Sequence, residues 1–291
     1  MNIFEQLVDQ AMRSQPQLAQ LRVVVEKELL HHDILREMSR AGFLKELTFI
    51  GGTCLRACYG SQRLSEDLDF TGGAGFTREG LADLGRVLVE RLEIKYGLPV
   101  EVSEPQRETG NVDTWKLRII TRPARKHLPV QRINIDICAL PSHDRRPMML
   151  RNHYGVEMGT SGLILQAQSR EEILADKIVA LALRPNRLKS RDLWDIVWLN
   201  RQGITLPVQL VLEKAMDRRQ ELTRFLEQLQ QRTMLLRSDS AVRKDFLAEM
   251  RRFLPPAVFG ENLETDEFWS YLVGLITDEG EKIQREALWK P

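Results

Sequence analysis

Apolar residues recur at helical spacing between residues 21 and 41, where Val25, Leu29 and Met38 belong to one repeating set. Side chains three or four positions apart lie on the same face of an α-helix. The pattern therefore predicts an amphipathic helix that ends near Gly42. A second helix of this kind is predicted over residues 78–96.

Shorter apolar segments in the first half of the chain predict strands. The last of them alternates clearly, because Ile133, Ile135 and Ile137 point to one side while polar residues point to the other. Together these segments predict a sheet in the first half. The predicted strands are Leu47–Ile50, Leu64–Phe70, Asp113–Thr121 and Arg132–Ala139.

After Ser169 the pattern changes to helical periodicity. Strands in the first half and helices in the second predict an α+β fold, with a mixed sheet, flanking helices and a helical C-terminal region. We expect one domain over residues 1–165 and another over 166–291. The predicted helices of the second domain are 169–183, 191–200, 207–235, 238–253 and 265–288.

Composition and charge favour a soluble globular protein over a membrane or secreted one. The 291 residues are 43% hydrophobic and 29% charged, which is typical of a soluble globular protein. No apolar run approaches the roughly 18 residues that a membrane helix needs, and no secretion signal is visible at the start. Three cysteines are too few for a disulfide framework, so we expect a cytoplasmic protein. A net charge of +1 means that any basic surface is local.

Two carboxylates stand two positions apart in the second predicted strand. On a strand, Asp67 and Asp69 share one face while Leu68 and Phe70 enter the core. Neighbouring carboxylates repel each other, and a hard cation such as Mg²⁺, which prefers oxygen ligands, relieves the repulsion. Asp136, on the polar face of its strand, is a candidate third ligand. An ordinary solvent-facing strand edge is the alternative for all three acids.

The segment before these acids suits phosphate binding. A strand ends at two glycines and leads into a short helix that Thr53 is expected to cap. Glycines allow close approach of a phosphate, and a helix N-terminus offers free amides and a positive dipole. Nearby arginines add positive charge. The residues expected at the nucleotide are Gly51, Gly52, Thr53, Arg56 and Arg63.

The sequence of residues 51–70 strongly resembles the first motif of the AbiEii/AbiGii nucleotidyltransferase toxins, to which the mycobacterial MenT toxins belong. These motif residues are Gly51-Gly52-Thr53-Cys54-Leu55-Arg56 and Tyr59-Gly60-Ser61-Gln62-Arg63-Leu64-Ser65-Glu66-Asp67-Leu68-Asp69-Phe70. Segment 173–181 resembles the lysine motif of this family, and 191–196 resembles its final Arg-Asp-x-x-Asp motif. The resemblance implies the fold of the DNA polymerase β-type nucleotidyltransferase superfamily.

The resemblance also implies roles for single residues. Asp67 and Asp69 would bind Mg²⁺ (or Mn²⁺), and Lys177 would contact the nucleotide phosphates. Asp192 would orient Lys177 or the base, and Ser65 matches a position that an antitoxin kinase phosphorylates in some relatives. By itself Lys177 is more typical of a structural lysine whose stem packs on apolar surface. The helical domain would thus contribute a lysine and an aspartate to a cleft facing the carboxylates.

The implied activity is that of a toxin in a toxin–antitoxin or abortive-infection system of phage defence. It would transfer a nucleoside monophosphate from an NTP to the 3′ end of tRNA, release pyrophosphate, and be controlled by a cognate antitoxin. A protein hydroxyl acceptor, a non-catalytic nucleotide- or RNA-binding module, and a metal-dependent phosphohydrolase remain alternatives. Two basic clusters favour RNA, although solvated charge explains them equally well: Arg122/Arg125/Lys126/His127 and Arg184/Arg187/Lys189/Arg191.

Overall fold

The computed structural model of the protein describes residues 2–106, 110–123, 130–185 and 187–288. The chain divides into two compact units, Met1–Gln168 and Ser169–Pro291. The boundary predicted from the sequence lies between residues 165 and 166. Residues 166–168 belong to the first unit because they form part of a strand in its sheet.

The first unit is built on a mixed sheet of seven strands. The strands are β1 Thr48–Ile50, β2 Leu68–Thr71, β3 Val100–Ser103, β4 Val112–Ile119, β5 Gln131–Cys138, β6 Arg145–Met149 and β7 Ile164–Gln168. Their order across the sheet is β3-β4-β5-β2-β1-β7-β6. The pairs β2–β5 and β1–β7 are parallel and the others are antiparallel. This confirms the predicted α+β class with a mixed sheet.

Four α-helices accompany the sheet: α1 Ile3–Ser14, α2 Arg22–Arg40, α3 Gly51–Cys54 and α4 Leu84–Tyr96. Helix α1 was not predicted, although Asn2 and Glu5 form a capping box at its start. A π-helical turn, Leu55–Tyr59, continues α3 directly.

Helix α2 buries charged residues as well as the apolar face that its sequence predicts. Asp33, for example, is fully buried and pairs with Arg36 at 2.6 Å and with Lys95 at 2.5 Å. Buried charges remain stable only when they are paired and hydrogen-bonded. Because its buried charges are paired, α2 is buried on more than one of its faces.

Several predicted elements differ from the structure. The helix predicted over 78–96 is a 3₁₀ turn, Arg78–Leu81, followed by the separate helix α4. The strand predicted over Leu64–Phe70 begins only at Leu68, because side chains of neighbouring helices bind the backbone of the residues before it. The helix predicted over 207–235 is two helices, because Arg219 between them takes the left-handed conformation (φ +55°). Strands β3, β6 and β7 were not predicted.

The second unit is helical. Its helices are α5 Arg170–Leu183, α6 Ser190–Arg201, α7 Val208–Asp217, α8 Leu222–Ser238, α9 Ser240–Met250, α10 Pro256–Asn262 and α11 Asp266–Leu288. Helix α5 packs against α6, α7 and α8. Between α5 and α7, the buried Lys214 ammonium lies 2.7 Å from Glu172 and 3.0 Å from Asp176. Within the described ranges, no helix combines the length and apolarity needed to cross a membrane.

Replacing Lys214 by methionine is expected to destabilise the second unit. The change keeps the side-chain volume but leaves Glu172, which is fully buried, without its lysine. Removing one partner of a buried ion pair costs about 3–5 kcal/mol. Urea unfolding should show this loss. The control Arg218→Met removes a more exposed partner of Asp176 and should cost about 1 kcal/mol or less. Equal losses in the two variants would contradict this account.

His32 on α2 should make the protein acid-sensitive. Its ring Nδ1 lies 2.9 Å from Thr160 Oγ1, and burial lowers its pKa from 6.5 to about 4. Between these values the unfolded chain binds a proton that the folded chain does not. The free energy of unfolding therefore falls as pH drops from 6.5 towards 4, and His32 contributes about 3 kcal/mol to that fall.

Chemical denaturation of His32→Asn between pH 7 and 4 measures this contribution. The variant should lose part of the pH dependence, while the exposed His143→Asn should keep the wild-type slope. An unchanged slope in His32→Asn would show that His32 titrates alike in the folded and unfolded chains.

Candidate active site

Strand β1 runs directly into helix α3 at Gly51. Gly51 has φ +75°, and a Cβ built there would lie 2.8 Å from Asp69 Oδ2. Two features of this position therefore require glycine: the left-handed backbone and the close approach of the carboxylate. Ile50, at the N-cap, provides no side-chain hydrogen bond to the first amides of the helix.

Thr53 does not cap the helix as predicted. The helix begins at Gly51, so Thr53 is its third residue and lies inside it. Its hydroxyl lies 2.6 Å from Ser65 Oγ and also contacts the backbone carbonyl of Asp67. Thr53 therefore ties the start of α3 to the segment that carries the acids.

The sheet brings the three predicted metal ligands to one place. Strands β2 and β5 are parallel, with Asp69 directly beside Asp136. Asp67 lies one residue before β2, and its Oδ1 accepts a hydrogen bond from the backbone N–H of Asn134 on β5 at 3.0 Å. Asp136 Oδ1 accepts one from the Thr114 hydroxyl at 2.6 Å. All three aspartates are half-buried.

The carboxylates are chemically suited to a hard cation. Among the described residues, no group of three or more His, Cys, Asp or Glu side chains is placed so that it could hold a metal ion. Mg²⁺ commonly uses only one or two carboxylates, together with water and substrate phosphates. The aspartates on β2 and β5 therefore fit this manner of binding.

The two predicted cationic side chains have partners inside the first unit. Arg56 is buried; its Nε lies 3.1 Å from Glu28 Oε2 and its Nη1 donates to the Ser61 carbonyl at 2.9 Å. Arg63 is also buried and donates to the Leu64 carbonyl at 3.0 Å. Contacts of both arginines with a nucleotide stay predictions.

Ser65 and Gly52 are both buried. The Ser65 backbone N–H donates to Glu28 Oε1 at 2.9 Å. Burial raises the pKa of the Glu28 carboxyl, but Arg56, the Tyr154 hydroxyl and this amide outweigh burial and hold the pKa below its usual range. Glu28 therefore stays ionised beside the motif.

A second cluster of charged residues lies within the helical unit. Lys177 Nζ on α5 is 2.6 Å from Asp192 Oδ1 and 2.8 Å from Asp195 Oδ2, both on α6. Arg184 Nη2 lies 3.0 Å from Asp192 Oδ2. Burial opposes ionisation of Asp192, but Lys177, Lys189 and Arg184 hold its pKa well below its usual range. The structure thus joins the lysine motif and the Arg-Asp motif in one ion-pair network.

The sequence does not predict several residues that contact the candidate site. Glu28, Tyr154 and Thr114 carry no motif, and they contact the site from distant parts of the chain. Asp195 had a sequence signal, since it stands three positions after Asp192 on the same helical face. The alternating pattern of β4 also placed Thr114 on a polar face.

Several described residues of the basic clusters expected at RNA form contacts within the protein. Arg122 forms an ion pair with the buried Glu26, and Arg125, Lys126 and His127 lie outside the described residues. In the second cluster, Arg191 pairs with Glu249 at 3.1 Å and lies over the Phe253 ring. Arg187 is exposed. Burial lowers the pKa of Lys189. The described members of the clusters thus offer little unpaired positive surface.

The chain resembles known proteins in sequence and in fold. A family profile described as "Nucleotidyl transferase AbiEii toxin, Type IV TA system" matches residues 33–272. MenT4, a nucleotidyltransferase toxin from Mycobacterium tuberculosis, has a similar structure, with a TM-score of 0.57 and 15% identity over 95% of this chain and 92% of that one.

A putative nucleotidyltransferase from H. pylori aligns with a TM-score of 0.47 and 16% identity, over 88% of this chain and 98% of that one. At these identities the likeness to MenT4 shows the fold alone. No protein with a curated description matches the chain.

Gly51→Ala tests the contact between α3 and Asp69. Its methyl group would displace the Asp69 carboxylate, so we expect nucleotide transfer to be abolished. Gly73→Ala is the control, since Gly73 has a similar φ of +80° and no described atom lies within 4 Å of a Cβ there. Both variants should lose about 1–2 kcal/mol of stability. Activity assays and thermal unfolding, measured together, separate the two effects; equal activity in both variants would refute the role of this contact.

Proposed function

Because the chain belongs to the AbiEii family of nucleotidyltransferase toxins, we propose that it transfers a nucleoside monophosphate from an NTP to the 3′ end of tRNA and releases pyrophosphate. The observation that carries the proposal is the pairing of Asp69 with Asp136, with Gly51 held against Asp69. It places two carboxylates, which are oxygen ligands for a divalent ion, side by side and next to the glycine at the start of α3.

Asp67, Asp69 and Asp136 hold Mg²⁺ (or Mn²⁺) in this proposal. A bound divalent ion neutralises the triphosphate and supports in-line displacement at phosphorus. The protein's part is to orient the acids: the Asn134 amide holds Asp67 and the Thr114 hydroxyl holds Asp136. Fixed carboxylates favour transfer because no reorganisation is needed during the reaction.

Lys177 binds the nucleotide phosphates in this proposal, and Asp192 holds its ammonium group in place. Two carboxylates lie within 2.8 Å of Nζ and fix its position. A fixed ammonium is a suitable partner for a phosphate oxygen. Gly51, Gly52, Arg56, Arg63 and Ser65 are the further nucleotide-binding candidates of the first motif.

The proposal includes a physiological setting, which the toxin family and the proposed acceptor support. Modification of the tRNA 3′ end blocks translation, so the reaction takes place in the cytoplasm, where NTP and tRNA are present. A cognate antitoxin restrains it, and phage defence is its biological role. Since most described residues of the two basic clusters have partners within the protein, the assay also follows label on protein and release of phosphate.

Purified protein is incubated with each α-labelled NTP, Mg²⁺ and total tRNA. We expect label on tRNA with at least one NTP, and loss of about 100-fold or more in Asp67→Ala and Lys177→Met. Label on protein would indicate a hydroxyl acceptor, and release of phosphate with the label left on a free nucleotide would indicate a hydrolase. Tight RNA binding without transfer would favour a binding module.

Matched controls separate chemistry from folding. Lys214→Met removes another buried lysine of the helical unit that also contacts two carboxylates. Asp245→Ala removes an exposed carboxylate. Below the unfolding temperature of every variant, both controls should keep transfer activity. If Lys214→Met and Lys177→Met lose activity equally, the role of Lys177 is structural.

A further inference from the structure

We propose that Glu28 on helix α2 is a positioning residue that holds the segment 61–67 and thereby sets the position of the Asp67 carboxylate. The proposal rests on the proposed function, because it assigns Glu28 a part in the same reaction. Glu28 lies 39 positions before Asp67 in the sequence and belongs to none of the motifs.

The Glu28 carboxylate is buried and surrounded by donors from three parts of the first unit. It accepts from the Ser65 amide at 2.9 Å, from Arg56 Nε at 3.1 Å and from the Tyr154 hydroxyl. Burying a carboxylate costs several kcal/mol unless donors replace water. The arrangement is therefore stable only when Ser65, Arg56 and Tyr154 keep these positions.

The segment 61–67 has no regular secondary structure, so side chains satisfy several of its backbone groups. Arg56 donates to the Ser61 carbonyl at 2.9 Å, and His31 Nε2 lies 3.0 Å from the Glu66 carbonyl. Thr53 contacts the Asp67 carbonyl. Glu28 links these contacts to one another, because it binds both Arg56 and the Ser65 amide of the segment.

Displacement of this segment moves a predicted metal ligand. Ser65 is two residues before Asp67, and Glu28 and His31 stand three apart on α2, so one helical face contacts the segment. A shift of about 1 Å in a reacting group can cost about 100-fold in rate. Loss of the Glu28 contact is therefore expected to reduce catalysis more than stability alone explains.

Glu26 provides a matched control on the same helix. It is as buried as Glu28 and carries the same charge, but its partners are Arg22, Arg122 and Gln131. These contacts connect α2 to the start of β5 and to residues near it. Replacing Glu26 therefore removes a buried carboxylate without releasing the Ser65 amide.

The test compares Glu28→Ala, Glu28→Gln, Glu26→Ala and Glu26→Gln in the full chain. We measure kcat and KM for NTP, the Mg²⁺ concentration for half-maximal transfer, and the Kd for Mn²⁺ by calorimetry. All assays run below the unfolding temperature of each variant, after circular dichroism has shown that it is folded.

We expect Glu28→Ala to lower kcat by about 100-fold and to weaken Mn²⁺ binding, with KM for NTP changed by less than about 3-fold. Glu28→Gln should recover part of kcat, since its amide oxygen can still accept from Ser65. The Glu26 variants should stay within about 3-fold of wild type in kcat and Mn²⁺ affinity, even where they lose comparable stability.

Equal effects of the Glu28 and Glu26 substitutions on kcat and on Mn²⁺ affinity would overturn the proposal. If Glu28→Ala does not fold, the two glutamine variants decide the matter. A wild-type chain that binds Mn²⁺ but transfers no nucleotide would refute the proposed function, and the Mn²⁺ affinities would still decide whether Glu28 positions Asp67. A wild-type chain that neither binds Mn²⁺ nor transfers label would refute both.

Discussion

A carboxylate taken out of water loses several kcal/mol of hydration unless donors replace the lost water. Glu28, Asp33 and Asp192 are all buried, and each is surrounded by cations, hydroxyls or amides. Because these donors come from separate elements, each buried acid fixes the position of several chain segments. This constraint explains why helix α2 lies inside the first unit although it is rich in charge. It also explains how an irregular segment such as 61–67 is held firmly.

The centre of the sheet could be predicted from the sequence because local patterns determine it. Alternation over 132–139 placed Asp136 on a polar face, and the two-residue spacing placed Asp67 near Asp69. The end of β1 at Gly51 was visible as an apolar run stopped by glycines. Which strands lie side by side was not visible. Asp69 and Asp136 are neighbours because β2 and β5 pair in parallel. These strands lie about 65 residues apart in the sequence, and no local pattern encodes their pairing.

Predictions from the sequence were wrong where tertiary contacts outweigh local conformational preference. Residues 64–67 have the composition of a strand, but Glu28 binds the amide of Ser65 and Thr53 contacts the carbonyl of Asp67. The strand therefore starts at Leu68. Thr53 has the chemistry of a cap, yet Gly51 tolerates a positive φ and lets the helix begin three residues earlier than a Thr53 cap would place it. Edge strands such as β6 escaped prediction because exposed strands need no apolar alternation. Of these differences, the late start of β2 arises from contacts between residues far apart in the chain.

Among the described residues of the helical unit, Lys177 and Lys214 are buried in similar surroundings. Lys214 on α7 lies between Glu172 and Asp176 of α5, and Arg218 also pairs with Asp176. Lys177 on α5 lies between Asp192 and Asp195 of α6, and Arg184 also pairs with Asp192. A buried ammonium is stable only when it is paired, so each lysine ties its own helix to a neighbouring helix. Since both lysines have this structural role, a loss of nucleotide transfer that is specific to Lys177→Met identifies the function that Lys177 adds to it.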